Sequence, residues 1–370
     1  MKPKIAIISD LHIGQQNFNI KIFNEQMKFI ETQFFPYILK NKIKFVVCCG
    51  DFFHSRERID WYILNEVKKR IFQWFDDNNI DFHILTGNHD TYNKNSIDCN
   101  SLTETVKAFK RTTIHDKTNI ISYLKYKLAF VPWITDTKSF VFPGECDILF
   151  AHLELMEFPV MKGIMSKEGY DHTTFNNYNL VFSGHYHTLS SKDNVHMVGT
   201  PYQLTWNDYD TNKGFYVLDD NFNYEFVENI INPKHIKIYY ENGNIRIEGL
   251  GKPLEVTKEE SLEYVKNNYS RIYVVKMDNE LDLDAYHTSI LNVSCNDYVI
   301  TRVNIAEIVE SFDSSEFDEK FAEEESTLDL IISCISGMTF EDGIDKDRLA
   351  SYSKKFYKQA FDEALVGEDD

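Results

Sequence analysis

Asp10-Leu11-His12, Gly50-Asp51, Gly87-Asn88-His89-Asp90, His152 and Gly184-His185-Tyr186-His187 are the stretches of this 370-residue chain with the clearest capacity for chemistry. They supply carboxylate, imidazole and amide donors, and each stands at or near the end of a short apolar run. That inventory suits manganese, iron or zinc better than an all-oxygen calcium site. Two divalent ions about 3.5–4 Å apart can clamp the attacking and leaving oxygens of a phosphoryl transfer. Such a pair needs one bridging carboxylate, and Asp51 is the natural choice. Asp10, His12 and His187 then complete one site, with Asn88, His152 and His185 completing the other. Any one of these fragments is far more often structural than functional. Five of them in this order, each after a strand, are not explained that way.

The surrounding pattern says what must position them. Residues 4–9, 44–49 and 81–85 read as short buried strands ending at Asp10, at Gly50-Asp51 and at Gly87-Asn88-His89-Asp90. Helical periodicity fills residues 20–40, disturbed near Pro36, and residues 59–76. From about residue 125 the chain turns strand-rich, with runs at 128–133, 146–151, 179–183, 195–198 and 214–218. In α/β sheets the loops at the carboxyl ends of strands converge, so five loops can deliver these side chains to one place. The expected fold is α/β, a two-sheet β-sandwich flanked by helices over residues 1–230. Residues 229–233 read as a linker to a second, smaller α+β domain over 231–309. Its strands are expected at 235–240, 244–249, 271–277 and 297–305, with a helix at 258–267. An acidic helical segment over 310–370 closes the chain, with helices near 328–336 and 346–365.

Composition excludes several classes. With 43% hydrophobic and 14% aromatic residues the chain can bury a sizeable core, which rules out wholesale disorder. No apolar run approaches the roughly 18 residues of a membrane span. The apolar stretch at residues 5–8 is too short for a signal-peptide core, so a soluble, cytoplasmic protein is expected. Six cysteines without a CxxC suggest neither a zinc ribbon nor a redox pair. The net charge of −19 argues at first against a nucleic-acid partner, but it is unevenly spread. Residues 310–370 hold 18 acidic and 6 basic side chains, leaving 40 acidic and 33 basic before them. The body is only mildly acidic, and a metal site would use several of its carboxylates. Charge alone decides nothing here.

The series D-x-H, G-D, G-N-H-D, H, G-H-x-H resembles the calcineurin-like metallophosphoesterase superfamily, with every metal-ligand position filled. Gly50-Asp51-Phe52-Phe53-His54 narrows the resemblance to the SbcD-type nuclease of double-strand-break repair. His152-Leu153-Glu154-Leu155, Met161-Lys162-Gly163 and Gly199-Thr200-Pro201 resemble its phage recombination-endonuclease counterparts. The similarity covers roughly residues 5–219 and is faint beyond. It implies a DNA exo/endonuclease using two divalent ions, manganese foremost, in which a metal-bridging hydroxide attacks the phosphodiester. His89 would act on the leaving oxygen, with Asp90 orienting it, and His54 would help place the DNA phosphate. It also implies an SbcC-type coiled-coil ATPase partner, since no P-loop occurs in this chain, and a homodimer. Double- or single-stranded DNA would be gripped through its backbone, with Lys68-Lys69-Arg70 and residues 107–111 as basic clusters. Trp61, Tyr62 and Leu64 are candidates for the dimer surface, and Leu349, Tyr352, Phe356 and Ala360 for docking the ATPase. If the chain is viral, it would work in the host cytoplasm. Two alternatives remain at this point: an enzyme of the same metals acting on a phosphoprotein or small phosphodiester, and a non-catalytic binding subunit.

Overall fold

The first strand, Lys4–Ile8 (β1), shows why the molecule is layered: Ile5 and Ile7 join one apolar cluster while Ala6 and Ile8 join another. Side chains alternate faces along a strand, so a run apolar at every position must be covered on both sides. The computed structural model describes residues 4–302 apart from 94, 162, 242–243, 277–279 and 294–297, and places them in one compact unit. The expected helices near 328–336 and 346–365, and Leu349, Tyr352, Phe356 and Ala360 with them, lie outside the described residues.

Phe45–Cys48 (β2), Asp81–Leu85 (β3) and Thr112–His115 (β4) follow β1 in the first sheet. Asn119–Tyr123 (β5), Tyr126–Val131 (β6), Ile148–His152 (β7), Leu180–Gly184 (β8), Ser190–Lys192 (β9) and Val195–Met197 (β10) form the second. Gly214–Asp219 (β11) and Tyr224–Glu228 (β12) then return to the first. The strand orders are β12-β11-β1-β2-β3-β4 and β9-β10-β8-β7-β6-β5. β1 to β4 pair in parallel, with Ile8 opposite Cys48 and Cys48 opposite Ile84, so their carboxyl ends line up on one edge. β6, β7, β8 and β10 are likewise parallel. The two sheets face each other through Ile7, Val47, Phe130, Phe150 and Phe182, all essentially inaccessible. The expected two-sheet α/β sandwich is the observed one.

Helices cover the outer face of the first sheet. Ile20–Phe29 (α1) starts at Asn19, whose side chain accepts the amide hydrogens of Lys21 and Ile22. It runs through a wider π turn, Ile30–Phe34, into Phe35–Lys40 (α2). The disturbance expected near Pro36 is that turn: the proline sits in the first turn of α2, where its missing N–H costs least. Trp61–Val67 (α3) is capped by Asp60 and continues through a second π turn into Gln73–Asn78 (α4). Phe23, Phe29, Phe72 and Phe75 from these helices pack on Ala6, Val46 and Ile84.

A third sheet comprises His235–Glu241 (β13), Asn244–Glu248 (β14), Leu254–Val256 (β15), Tyr269–Lys276 (β16) and Tyr298–Arg302 (β17), in the order β15-β14-β13-β16-β17. Lys258–Asn267 (α5), closed by a Thr257/Glu260 capping box, and Glu280–Leu291 (α6) supply Val265, Tyr286 and Ile290 to its own apolar cluster. The sequence reading contained α5 but not α6. The stretch 229–233 lies against the body: Asn229 Nδ2 donates to Pro201 O (2.8 Å) and Asn232 Nδ2 to Glu25 O (2.6 Å).

Candidate metal centre

Asp10 and His12 follow β1, Asp51 follows β2, Asn88 and His89 follow β3, His152 ends β7, and His185 and His187 follow β8. Parallel pairing puts these strand ends side by side, and the seven expected ligands meet in one cluster. Asp10, His12 and His187 bring donor atoms within 4.8 Å of one another, and so do Asp51, His152 and His185. Asp51 stands between the groups: Oδ2 lies 3.7 Å from His12 Nε2 and Oδ1 3.5 Å from His152 Nε2. Asn88 Oδ1 is 2.9 Å from both His152 Nε2 and His185 Nδ1.

Backbone geometry at the site is unusual. Asp10, His12, Asp51 and His185 all have positive φ, the last at 101°, in the region that side chains other than glycine avoid. Such conformations concentrate where surrounding structure must aim a side chain. Gly50 also has positive φ (99°), and a Cβ there would run into the His152 imidazole. Gly87 is equally constrained, because a Cβ would strike Asp51. Both glycines let one ligand loop press against the next.

The electrostatics of the cluster suit a cation. Asp10 and Asp51 are 0% and 1% exposed, and among the described residues neither forms an ion pair with Lys or Arg. Burial pushes the Asp51 carboxyl up to about 7, and burial plus the Asp51 charge raises Asp10 well above the usual carboxylate range. Burial drives the imidazoles the other way, His152 to about 3, His187 to about 4, and His12 and His185 well below normal. These imidazoles are neutral near pH 7, the form that binds metal. His152 Nδ1 donates to Cys49 O (2.7 Å), which leaves the Nε2 lone pair facing Asn88 Oδ1. As the amide is placed, two acceptors confront each other, and a cation between them resolves that. Nitrogen and oxygen donors converging on buried carboxylates fit divalent transition ions.

His89 and His54 flank this cluster. His54 Nδ1 is 3.3 Å from His12 Nδ1, and its carbonyl oxygen accepts from His89 Nδ1 at 2.7 Å. The His89 backbone amide donates to Asp51 Oδ1 (2.8 Å). Asp90 departs from expectation. Its buried carboxylate accepts the amide hydrogens of Phe52, Phe53 and Gly87, so it ties the β2 and β3 loops together. The atom that turns the His89 ring is the His54 carbonyl, and Asp90 acts on His89 through its charge. The basic clusters are partly spent internally: Arg70 forms a bidentate pair with Glu31, Lys69 pairs with Glu66, and Arg111 with Asp81. Trp61 and Tyr62 are exposed, whereas Leu64 belongs to the core and is no surface residue.

The chain belongs to the calcineurin-like phosphoesterase family. The family's pattern matches residues 3–189, a span that contains every one of the seven converging side chains. It is accordingly a metal-dependent phosphoester hydrolase. Exonuclease subunit 1 of Enterobacteria phage T4 is 29% identical over 301 residues, covering 76% of this chain and 86% of that protein. A solved structure of a protein of unknown function from Aquifex aeolicus covers 52% of this chain and 83% of its own length. At 17% identity and a TM-score of 0.26, that likeness carries no argument.

Sequence reasoning passed over several residues that shape the centre. Trp133 follows β6 as the ligands follow their strands, and its ring centroid is 5.2 Å from that of His185. Glu154 Oε1 is 3.7 Å from His185 Nε2. Lys213 Nζ, buried, donates to His187 O (2.8 Å) and pairs with Asp208 (2.5 Å). For Trp133 and Glu154 the available signal was position after a strand. For Lys213 there was none, because its link to the centre is through the His187 backbone carbonyl.

Proposed function

We propose that this phosphoesterase is a DNA exo/endonuclease working with two divalent ions, manganese foremost. The observation that carries the reading is the full set of seven donors in a chain that aligns along most of its length with a phage exonuclease subunit. Asp10, His12, Asp51 and His187 would hold one ion, and Asp51, Asn88, His152 and His185 the other. When bound, such a pair supplies a nucleophile from water near neutral pH and offsets charge on the phosphoryl oxygens. His89 is set up as the proton carrier: its Nδ1 hydrogen is committed to His54 O, so Nε2 is the atom available to the leaving oxygen. His54 aligns that ring and positions the DNA phosphate. Residues 1–230 form the nuclease domain in this reading and 231–309 a smaller capping or DNA-binding domain. Residues 310–370 would dock an SbcC-type ATPase. Trp61, 79% exposed, and Tyr62 support contact between two copies of the chain. No helix among the described residues is long and apolar enough to cross a membrane. Work on DNA in the cytoplasm, the host's if the chain is viral, is part of this reading.

The test is digestion of end-labelled linear duplex and single-stranded DNA with manganese, magnesium or EDTA, comparing wild type with His89→Ala. Manganese-dependent cutting that falls roughly 10²–10⁴-fold in the variant is expected, the range for losing a general acid. Hydrolysis of a small phosphodiester without any DNA cutting, alone or with the ATPase, would refute the nuclease reading.

A further inference from the structure

Beside the metal centre a cavity of about 400 Å³ opens, lined by Trp133, Ile134, His152, Leu153, Glu154 and Tyr170 among others. It shares His152 with the site, and Trp133 stands 5.2 Å from the His185 ring and 6.0 Å from the His152 ring, centroid to centroid. Whatever fills it is therefore attached to, or immediately next to, the group that reacts. The main chain that carries the indole is tied to the end of β3, since the Trp133 backbone amide donates to Thr86 O at 2.8 Å.

The lining says what the occupant is. Among the described residues no lysine or arginine borders the cavity, whereas the acidic residues Glu154 and Glu168 do. A phosphate inside the cavity would meet those acidic residues, whereas the ions proposed for the adjacent centre would attract it, so the DNA backbone belongs at the metals and not in the cavity. Aromatic and aliphatic walls with carboxylate acceptors instead suit a flat, uncharged group that carries N–H donors on its edge. A nucleobase has that chemistry. The volume falls within the usual range for sites that bury a small organic ligand.

We propose that this cavity receives the unstacked nucleobase next to the scissile phosphodiester, with Trp133 as its stacking partner and Glu154 as an acceptor for the base's amino hydrogens. This rests on the nuclease reading and adds to it a base-binding step. Bases bearing an exocyclic amine (cytosine, adenine, guanine) present a donor to Glu154, and thymine lacks that amine. The enzyme thus draws a terminal or melted nucleotide out of its stack, and thymidine fits least well.

The test uses single-stranded oligonucleotides carrying one abasic tetrahydrofuran site, moved stepwise past each cleavage position. Wild-type enzyme should cut the linkage next to the abasic site on the order of 5- to 100-fold more slowly than its base-bearing counterpart, the range for losing one base–aromatic stack. Trp133→Ala should flatten that ratio and Trp133→Phe should keep part of it. The ratio compares two substrates within one preparation, so a folding defect does not mimic the result. Glu154→Gln should shrink the preference for cytosine over thymine. A wild-type ratio near one, or a ratio unchanged by Trp133→Ala, overturns the proposal. If wild type cuts no DNA, the nuclease reading has failed, and calorimetry with dCMP, dTMP and 2-deoxyribose 5-phosphate decides the cavity separately. Binding in that order, lost in Trp133→Ala, keeps the base site, and equal binding of all three removes it.

Discussion

Removing the charge of Asp208 should cost this protein about 3 kcal/mol of stability, because it would strand a buried ammonium group beside a ligand of the metal centre. Lys213 is 5% exposed and Asp208 3%, and their side chains meet at 2.5 Å. Lys213 also donates to His187 O, while Asp208 Oδ2 accepts the amide hydrogens of Leu204 (2.9 Å) and Thr205 (3.0 Å). Asp208→Asn keeps an oxygen for those amides but leaves Lys213 without a counter-charge. The expected loss sits at the lower end of the 3–5 kcal/mol seen when one partner of a buried pair is removed. Adding Lys213→Met removes the stranded charge, so the double variant should recover at least about 1 kcal/mol relative to Asp208→Asn alone. Urea unfolding at pH 7 in EDTA measures both, with the chelator keeping metal linkage out of the comparison. Acid should act in the same direction. Burial would raise the Asp208 carboxyl, but the neighbouring Lys213 ammonium outweighs it and holds the group below the usual carboxylate range. A carboxyl depressed in the folded state gives its full stabilisation above about pH 4 and loses it as pH falls through the depressed value. A cost below about 1 kcal/mol for Asp208→Asn, or a double variant as unstable as the sum of the two singles, would refute this reasoning.

Gly50→Ala forces a Cβ into His152 at a positive φ, so kcat/KM on a small phosphodiester should fall about a hundredfold, as expected for an ångström-scale displacement of a ligand. Wild-type rates would show that the close packing is dispensable. Manganese at a hundred times its dissociation constant should stabilise the folded chain by about 2.7 kcal/mol per site, read as a rise in melting temperature that EDTA reverses. Asp51→Asn should lose most of that rise, since Asp51 faces both donor groups; an undiminished rise would show that it holds neither ion. Arg70→Ala should cost no more than about 1 kcal/mol in urea unfolding, because its pair with Glu31 is partly exposed (27% and 39%) and screened by solvent. A larger loss would mean that Arg70 packs on Phe23 more firmly than their 5.8 Å separation suggests.

The elements were legible where burial made the pattern strong. β1 and β2 are nearly uninterrupted apolar runs because both faces are covered, and they and β3 lie where the sequence placed them within a residue or two. β5 and β12 were not anticipated. They are edge strands with mostly exposed or half-buried positions, so they lack the apolar run that marks a buried strand. α6 was missed for a related reason. Its apolar residues do not gather on one helical face, and the residues that anchor it, Tyr286 and Ile290, are recognisable only once the third sheet beneath them is known.

The site was legible to a different depth. Side chains that meet at the centre were readable because each follows a buried strand, and parallel pairing turns five distant positions into neighbours. What holds those side chains was not, because holding is done largely by backbone atoms that carry no sequence signature. His152 is fixed by Cys49 O, His89 by His54 O, and His12 by a loop whose carbonyls accept from the Gln26 side chain. Asp90 illustrates the difference. Its place beside His89 in sequence suggested a carboxylate–imidazole pair, yet three loop amides at 2.9–3.3 Å compete for the same oxygens and win. A buried carboxylate satisfies unpaired N–H groups before it can serve a ring that already has a carbonyl partner. Asp90→Asn should therefore damage the loops that carry Asp51 and Asn88 together, lowering metal affinity and stability in step. A variant that retained metal affinity and stability and shifted only the pH profile of catalysis would instead return Asp90 to the role its position in the sequence suggested.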